Sequence, residues 1–237
     1  DKIPDTAKDA DGAYYADYTG IMSVGWNADK YGDISSLDDL LDPKFAGTVA
    51  LNGKPAEAGA AFNGYLMANQ LAGGDINNLQ PGLDYFKKLK EAGNLTTVDV
   101  TDGTIDSGQT GVVFDWTYNQ ASYKKELKDK GVNWKYKTFP KAQVVSYYNQ
   151  AINKDAPHPA AARLWEEYLY TADAQNLWFK GGANPVLLDS MKEDGTVDQA
   201  TLKDAITIEG EPVSYTNDDS TRITEWLQNN WDKTIGN

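Results

Sequence analysis

The stretch that decides the fold runs from residue 48 to residue 74 and reads TVALNGKPAEAGAAFNGYLMANQLAGG. Its first four residues, 48–51, form a short and largely apolar run, which predicts a buried strand. Residues 57–72 then carry apolar side chains such as Phe62 and Leu66 at helical spacing, and two glycines end the pattern. A strand followed by a helix is the building unit of α/β proteins.

The same alternation continues in both directions along the chain. We predict further strands at 13–28, 95–100, 111–115, 134–139 and 144–152, and helices at 35–41, 81–92, 120–130, 159–170, 172–180 and 220–233. The sequence therefore predicts an α/β fold with substantially parallel strand pairing.

Composition excludes several classes of function. The 237 residues are enough for one large domain or two small ones. The absence of cysteine excludes thiol catalysis and cysteine-ligated zinc or iron–sulfur sites, and a single histidine argues against a catalytic triad. A formal net charge of −13 argues against nucleic-acid and anionic membrane surfaces. The 14 tyrosines and 7 tryptophans are compatible with ligand binding.

The chain carries no targeting or membrane signal that the sequence reveals. No run of 18 apolar residues is present, and residues 1–5 have neither the basic start nor the apolar core of a signal peptide. We therefore interpret the sequence as a mature protein, a processed product or an internal fragment.

Three segments, in matching order and spacing, carry a family resemblance. They are LLDPKFAGTVAL at 40–51, NKDAPHPAAA at 153–162, and YLYTADAQ at 168–175 followed by GGANPV at 181–186. Together they resemble the ferric iron, polyamine, thiamine and phosphonate branch of bacterial ABC-transporter solute-binding proteins, and residues 231–236 agree with it. The resemblance covers most of residues 13–190.

The resemblance implies a type 2 periplasmic-binding-protein fold, in which two α/β lobes close around a small solute. Residues 20–140 would form the second lobe, nearly complete, and residues 1–19 and 141–237 what remains of the first. Segments 14–27 and 134–152 would be neighbouring crossover strands. Such a protein is extracytoplasmic, in the periplasm or as a cell-surface lipoprotein. It delivers its solute to an ABC permease, and it is neither an enzyme nor a carrier of a cofactor.

One departure from the family pattern concerns the first lobe. The family's leading strand–helix units have no counterpart in this sequence, so we expect a partial first lobe with open edges and apolar faces. We predict incomplete lobe closure or self-association, unless a missing N-terminal segment covers those faces.

Two acidic positions are candidate ligand contacts. Glu57 begins the helix predicted for residues 57–72, where it would either stabilise the helix N-terminus or contact a ligand, and its negative charge would repel an anionic ligand. Asp115 follows an apolar strand and is flanked by Trp116 and Tyr118, which suits an ion pair and a cation–π contact with an amine. The alternative for Asp115 is capping of the next helix, with Trp116 in the core.

The crossover strands supply the remaining candidates. Tyr147 and Tyr148 are neighbours on a strand and should point to opposite faces, so only one of them should reach a ligand. Tyr18 and Thr19 are weaker candidates on the other crossover strand. The tyrosine pair that ligates ferric iron in the family is broken here, and we predict no metal site and no catalytic residue.

A cationic amine of the polyamine or thiamine kind is therefore the first expectation for the ligand, with ferric iron and phosphonate behind it. A ligand-sensing domain of the same fold and, with less support, a carboxylate-based hydrolase stay open as alternatives. His158 is interpreted as a helix entry, and Trp165, Trp178 and Phe179 as core residues.

Overall fold

The computed structural model describes residues 2–236 and divides into two compact units. Unit 1 comprises the described residues of Asp1–Ile21 and Ser146–Ile208, and unit 2 those of Met22–Val145 and Glu209–Asn237. The chain therefore passes between the units three times, and neither unit is continuous in sequence.

The strands are β1 Tyr15–Asn27, β2 Val49–Leu51, β3 Val112–Trp116, β4 Trp134–Lys137, β5 Val145–Gln150 and β6 Asn184–Pro185. The helices are α1 Ala28–Tyr31, α2 Gly59–Leu71, α3 Gln80–Glu91, α4 Asp102–Asp106, α5 Thr117–Lys128, α6 Pro159–Leu169, α7 Ala172–Lys180, α8 Leu188–Glu193, α9 Gln199–Asp204 and α10 Asn217–Thr234. Short 3₁₀ turns cover Asp5–Ala7, Leu37–Leu41, Pro43–Phe45 and Pro140–Ala142. The α/β fold class is thereby confirmed.

The sheet of unit 2 has the strand order β2-β3-β1-β4. β2 and β3 are parallel, with Leu51 opposite Phe114. β1 is antiparallel to both of its neighbours in this sheet, β3 and β4. The prediction of substantially parallel pairing was therefore wrong for the pairs of β1 with β3 and β4, because β1 enters the middle of the sheet in the opposite direction.

Aromatic side chains from three helices form much of the core of unit 2. Tyr65 of α2 and Phe86 of α3 are fully buried, and the ring centroid of Trp231 of α10 lies 6.0 Å and 5.3 Å from theirs. The described part of residues 209–237, which we predicted to belong to the first lobe, lies in unit 2. The reason is the apolar face of α10, which buries Ile223 and Leu227 together with Trp231.

Unit 1 is organised around the first half of β1. β6 pairs antiparallel with it at Tyr18 and Thr19, and β5 also pairs with β1. The predicted proximity of segments 14–27 and 134–152 is confirmed, since both β4 and β5 pair with β1. The predicted strand at 95–100 is instead an irregular segment with one bridge from Leu95 to Val49.

Helix α6 exposes most of its apolar side chains. Leu164 is 73% exposed and Trp165 60% exposed, and Leu169 is the buried residue of this helix. The prediction that Trp165 is a core residue was therefore wrong, whereas Phe179 is buried as predicted. Within residues 2–236, no helix is both long and apolar enough to cross a membrane.

Candidate functional site

The parallel strands β2 and β3 bring two chain segments together at their carboxyl ends. Asn52 follows the last residue of β2, and Asp115 and Trp116 end β3. Each strand then leads towards a helix, α2 or α5. Ligands of open α/β sheets commonly bind at this edge, next to helix N-termini.

The carboxylate of Asp115 is fully buried and accepts four hydrogen bonds. Its Oδ1 accepts from the backbone N–H of Trp116 at 2.7 Å and from Nδ2 of Asn119 at 2.9 Å. Its Oδ2 accepts from Nδ2 of Asn52 at 2.8 Å and from the hydroxyl of Tyr123 at 3.0 Å. Every acceptor position of the carboxylate is thus occupied.

The negative charge of Asp115 has no counter-charge among the described residues. Burial raises the pKa of Asp115, and the four donors oppose that rise. Across residues 2–236, no Lys, Arg or His lies within ion-pair distance of this carboxylate. The edge of the sheet therefore carries an acidic group that lacks an ionic partner.

Trp116 and Tyr118 form an aromatic pair next to this carboxylate. Their rings are nearly parallel, at 16°, with centroids 6.3 Å apart. Trp116 is only 5% exposed and packs in the core, whereas Tyr118 is half-buried. Of the two rings, Tyr118 is the more accessible to a ligand.

Glu57 lies in a turn and not in the helix that we predicted for residues 57–72. The backbone N–H groups of Glu57 and Ala58 both donate to the carbonyl of Lys54, and α2 begins only at Gly59. The side chain of Glu57 is 72% exposed, and its Oε1 lies 4.0 Å from Nζ of Lys54. Glu57 thus stands two residues before α2, as Asp115 stands two residues before α5.

The unit 1 candidates include a stack of three rings. The ring of Tyr18 lies between those of Tyr148, at a centroid distance of 4.9 Å, and Trp178, at 4.3 Å. Tyr148 is 47% exposed and Tyr18 is half-buried. The stack holds the ring of Tyr148 in one orientation while leaving much of its surface accessible.

The other two unit 1 candidates differ in accessibility. Thr19 is fully buried, and its hydroxyl accepts from the backbone N–H of Ser146 at 3.1 Å, which ties β1 to β5. Tyr147 is 37% exposed, and burial together with the charge of Asp189 raises its pKa. The hydroxyl of Thr19 is thus bonded to the backbone of β5, whereas the side chain of Tyr147 is accessible to solvent.

Sequence reasoning missed several members of these arrangements. Asn119 and Tyr123 follow Asp115 at intervals of four residues, the spacing of one helix face, and this signal could have identified them. Asp17 was also missed: it is fully buried in unit 1 and accepts from Gln175 at 3.0 Å and from Gln150 at 3.2 Å.

Two of the cavities in the structure lie beside other residues. A groove of about 710 Å³ in unit 1 is lined by Tyr15, Arg163, Glu166 and Tyr170 among others, and none of the eight candidates lines it. A smaller cavity of about 120 Å³ in unit 2 adjoins Leu51 and Gly53, the neighbours of Asn52. No group of three His, Asp or Glu side chains within residues 2–236 could hold a metal ion.

Comparisons with solved structures identify the fold. AgtB from A. tumefaciens R10, in complex with agropinic acid, matches with a TM-score of 0.72 and 16% identity over 100% of this chain and 73% of that one. AfuA from Actinobacillus pleuropneumoniae, with fructose-6-phosphate bound, matches with a TM-score of 0.68 and 20% identity, over 99% of this chain and 72% of that one. Iron-bound HitA from Pseudomonas aeruginosa matches with a TM-score of 0.66 and 21% identity, over 97% of this chain and 72% of that one. These likenesses confirm the periplasmic-binding-protein fold.

Sequence comparison gives the family. The curated protein sequences contain no match to this chain. The profile of the family described as "Bacterial extracellular solute-binding protein" matches residues 1–205, which is most of the chain. The chain therefore belongs to the bacterial extracellular solute-binding protein family.

Proposed function

We propose that this protein binds a small cationic amine, of the polyamine or thiamine kind, and delivers it to an ABC permease outside the cytoplasmic membrane. The observation that carries the proposal is the fully buried carboxylate of Asp115, which has four hydrogen-bond donors and, among residues 2–236, no cation within ion-pair distance. Because a buried charge without a counter-charge is costly, an ammonium group nearby would be stabilising.

The two helix N-termini at this edge support a cation over an anion. Asp115 and Glu57 each stand two residues before a helix, α5 and α2 respectively. A carboxylate at this position offsets the partial positive charge of the helix N-terminus. An anionic ligand would therefore meet two negative side chains at the place where helix dipoles would otherwise attract it.

Aromatic rings add a second source of affinity for a cation. Tyr118 follows Asp115 by three residues and stacks on Trp116 in unit 2, and Tyr148 presents a stacked and partly exposed ring in unit 1. A desolvated cation–π contact contributes about 2 kcal/mol. We keep Trp116, Tyr18, Tyr147 and Thr19 as proposed contacts, with Thr19 the weakest because its hydroxyl is already bonded to Ser146.

A phosphonate or phosphate is the second candidate, and one observation favours it. Helix α2 begins after Ala58 without a capping hydrogen bond from the side chain of that residue. Such a helix start can bind an anionic group. Ferric iron ranks third. In each case we propose a binding protein and not an enzyme.

Titration calorimetry at pH 7 with putrescine, spermidine and thiamine, and in parallel with phosphate, methylphosphonate and ferric citrate, tests the proposal. We expect at least one of the cations to bind, and Asp115→Asn to weaken its binding about tenfold or more, which corresponds to about 1.4 kcal/mol. Asp129→Asn removes an exposed charge just after α5 and should leave the affinity unchanged. Tight binding of an anion, or an amine affinity that Asp115→Asn leaves intact, would overturn it.

A further inference from the structure

The carboxylate of Asp115 has no acceptor position left for a solute. Each of its oxygens already accepts two hydrogen bonds, one set from Trp116 and Asn119 and the other from Asn52 and Tyr123. A carboxylate oxygen offers two such positions. A direct hydrogen bond from a solute to Asp115 would therefore have to displace one of the four donors.

The arrangement fixes the orientation of two side-chain amides. An ionised carboxylate only accepts hydrogen bonds, so Asn52 and Asn119 must turn their nitrogens towards Asp115. Their amide oxygens consequently face away from it. No hydrogen bond to either of these oxygens is present among the described residues, and both side chains are half-buried and not sealed in the core.

The two amides come from segments far apart in sequence that meet at the strand ends. Asn52 directly follows β2, and Asn119 lies in the first turn of α5, after β3. Both amide nitrogens lie within 3.0 Å of the same carboxylate. Asp115 is therefore the group that holds the two amides together.

We propose that Asp115 is a positioning residue, which holds Asn52 and Asn119 so that their Oδ1 atoms accept hydrogen bonds from the N–H or O–H groups of the solute. The inference rests on the proposed function for the nature of the solute. It assigns contact with the solute to the two asparagines, while the charge of Asp115 acts at a distance.

Tyr123 provides a matched control. Its hydroxyl donates to the same carboxylate oxygen as Asn52, but its removal leaves both amides in contact with Asp115. Tyr123→Phe should therefore preserve the positions of Asn52 and Asn119, whereas Asp115→Ala should release both. Asp115→Asn keeps the shape of the side chain and serves if Asp115→Ala does not fold.

The first measurement needs no ligand. Side-chain NH₂ hydrogen exchange by ¹⁵N NMR should be about tenfold slower for Asn52 and Asn119 than for the exposed Asn153, because a hydrogen-bonded amide must open before it exchanges. The protection should persist in Tyr123→Phe. At least one of the two amides should lose it in Asp115→Asn. Equal exchange in all three asparagines of the native protein would overturn the inference.

The second measurement is a mutant cycle on the affinity for the amine that binds the native protein. If Asp115 acts through the amides, Asp115→Asn should weaken binding about tenfold in the native background and about threefold or less in Asn52→Ala/Asn119→Ala. The same loss in both backgrounds would show direct contact with the solute and refute the positioning role.

The exchange measurement and the mutant cycle distinguish failure of this inference from failure of the proposed function. If no cation of the panel binds, the proposed function fails. The same cycle is then run with whichever of phosphate, methylphosphonate or ferric citrate does bind. If none of the six probes binds, the exchange measurement alone decides whether Asp115 holds the amides.

Discussion

At the residue scale, hydrogen-bond donors hold the carboxylates of Asp115 and Asp39 in place. Asp39 is the clearest surface case: its Oδ2 accepts from the backbone N–H groups of Ser35 and Ser36 and from the Ser35 hydroxyl, and its Oδ1 accepts from the Ser36 hydroxyl. These donors lower the pKa of Asp39 to about 2. The carboxylate thereby closes a capping box at the 3₁₀ turn Leu37–Leu41.

We expect Asp39→Ala to lower the free energy of unfolding by about 1 kcal/mol at pH 7, in the range of lost caps. Because the folded pKa lies below the unfolded value, the stabilisation is fully present above about pH 4 and is lost as the pH falls through about 2. Urea denaturation at several pH values measures the difference. Asp38→Ala removes a neighbouring exposed charge and is the control; an equal effect of both substitutions would contradict the capping role.

The sequence alone indicated Asp115, because a carboxylate at the end of an apolar strand is unusual. Its partners were harder to predict. Asn119 and Tyr123 share its helical spacing, but Asn52 precedes it by 63 residues and meets it only because β2 and β3 pair. Direct contact of Asp115 with the ligand stays an untested prediction from the sequence, and we propose that Asn52 and Asn119 make this contact instead. The four donors became visible only in the structure.

At the scale of elements, α2 packs closely on the sheet through a glycine. A Cβ atom added at Gly64 would lie 2.9 Å from the Leu51 side chain and 3.3 Å from Cβ of Phe114, both of them core residues. Glycine is unfavourable inside a helix, so its presence here reflects the close approach of helix and sheet.

We expect Gly64→Ala to destabilise unit 2 by about 1–3 kcal/mol, because the overpacking outweighs the better helix propensity of alanine. Gly59→Ala, in the first turn of the same helix, has open space around its added Cβ and should be neutral or slightly stabilising. Thermal and chemical denaturation of the two variants compares them. A stabilised Gly64→Ala would show that α2 can move away from the sheet at little cost.

The positions of helices and strands along the chain could be predicted from local sequence patterns. The elements that each of them packs against could not. The apolar face of α2 and the capping residues before Leu37 are local signals, and both elements formed within a few residues of the prediction. The direction of β1 relative to β3, and the packing of α10 on α2 and α3, depend on contacts between distant segments. Such contacts cannot be predicted from the hydrophobic periodicity of a single segment.

At the scale of the whole molecule, the most accessible apolar surface belongs to α6 and α7. Leu164 and Trp165 of α6 and Leu177 of α7 are each at least 60% exposed, and Tyr168 is 44% exposed. Exposed apolar residues grouped on one or two helices commonly mark a contact surface. This arrangement supports the expectation of self-association.

We expect sedimentation velocity to show association that increases with protein concentration, and Trp165→Glu to shift the equilibrium towards the monomer, because a charge in an apolar interface must be desolvated. Lys124→Glu changes an exposed residue of α5 and controls for the effect of added negative charge. A native protein that stays monomeric at high concentration would contradict the prediction.

The three passages of the chain between the units set the order in which each unit can be completed during synthesis. The described residues of unit 1 all precede residue 209, whereas unit 2 still awaits α10, which carries Ile223, Leu227 and Trp231 into its core. The unit that holds Asp115 is therefore the last to gain a closed core. Until then its apolar face stays open, as apolar surface does in folding intermediates of larger proteins.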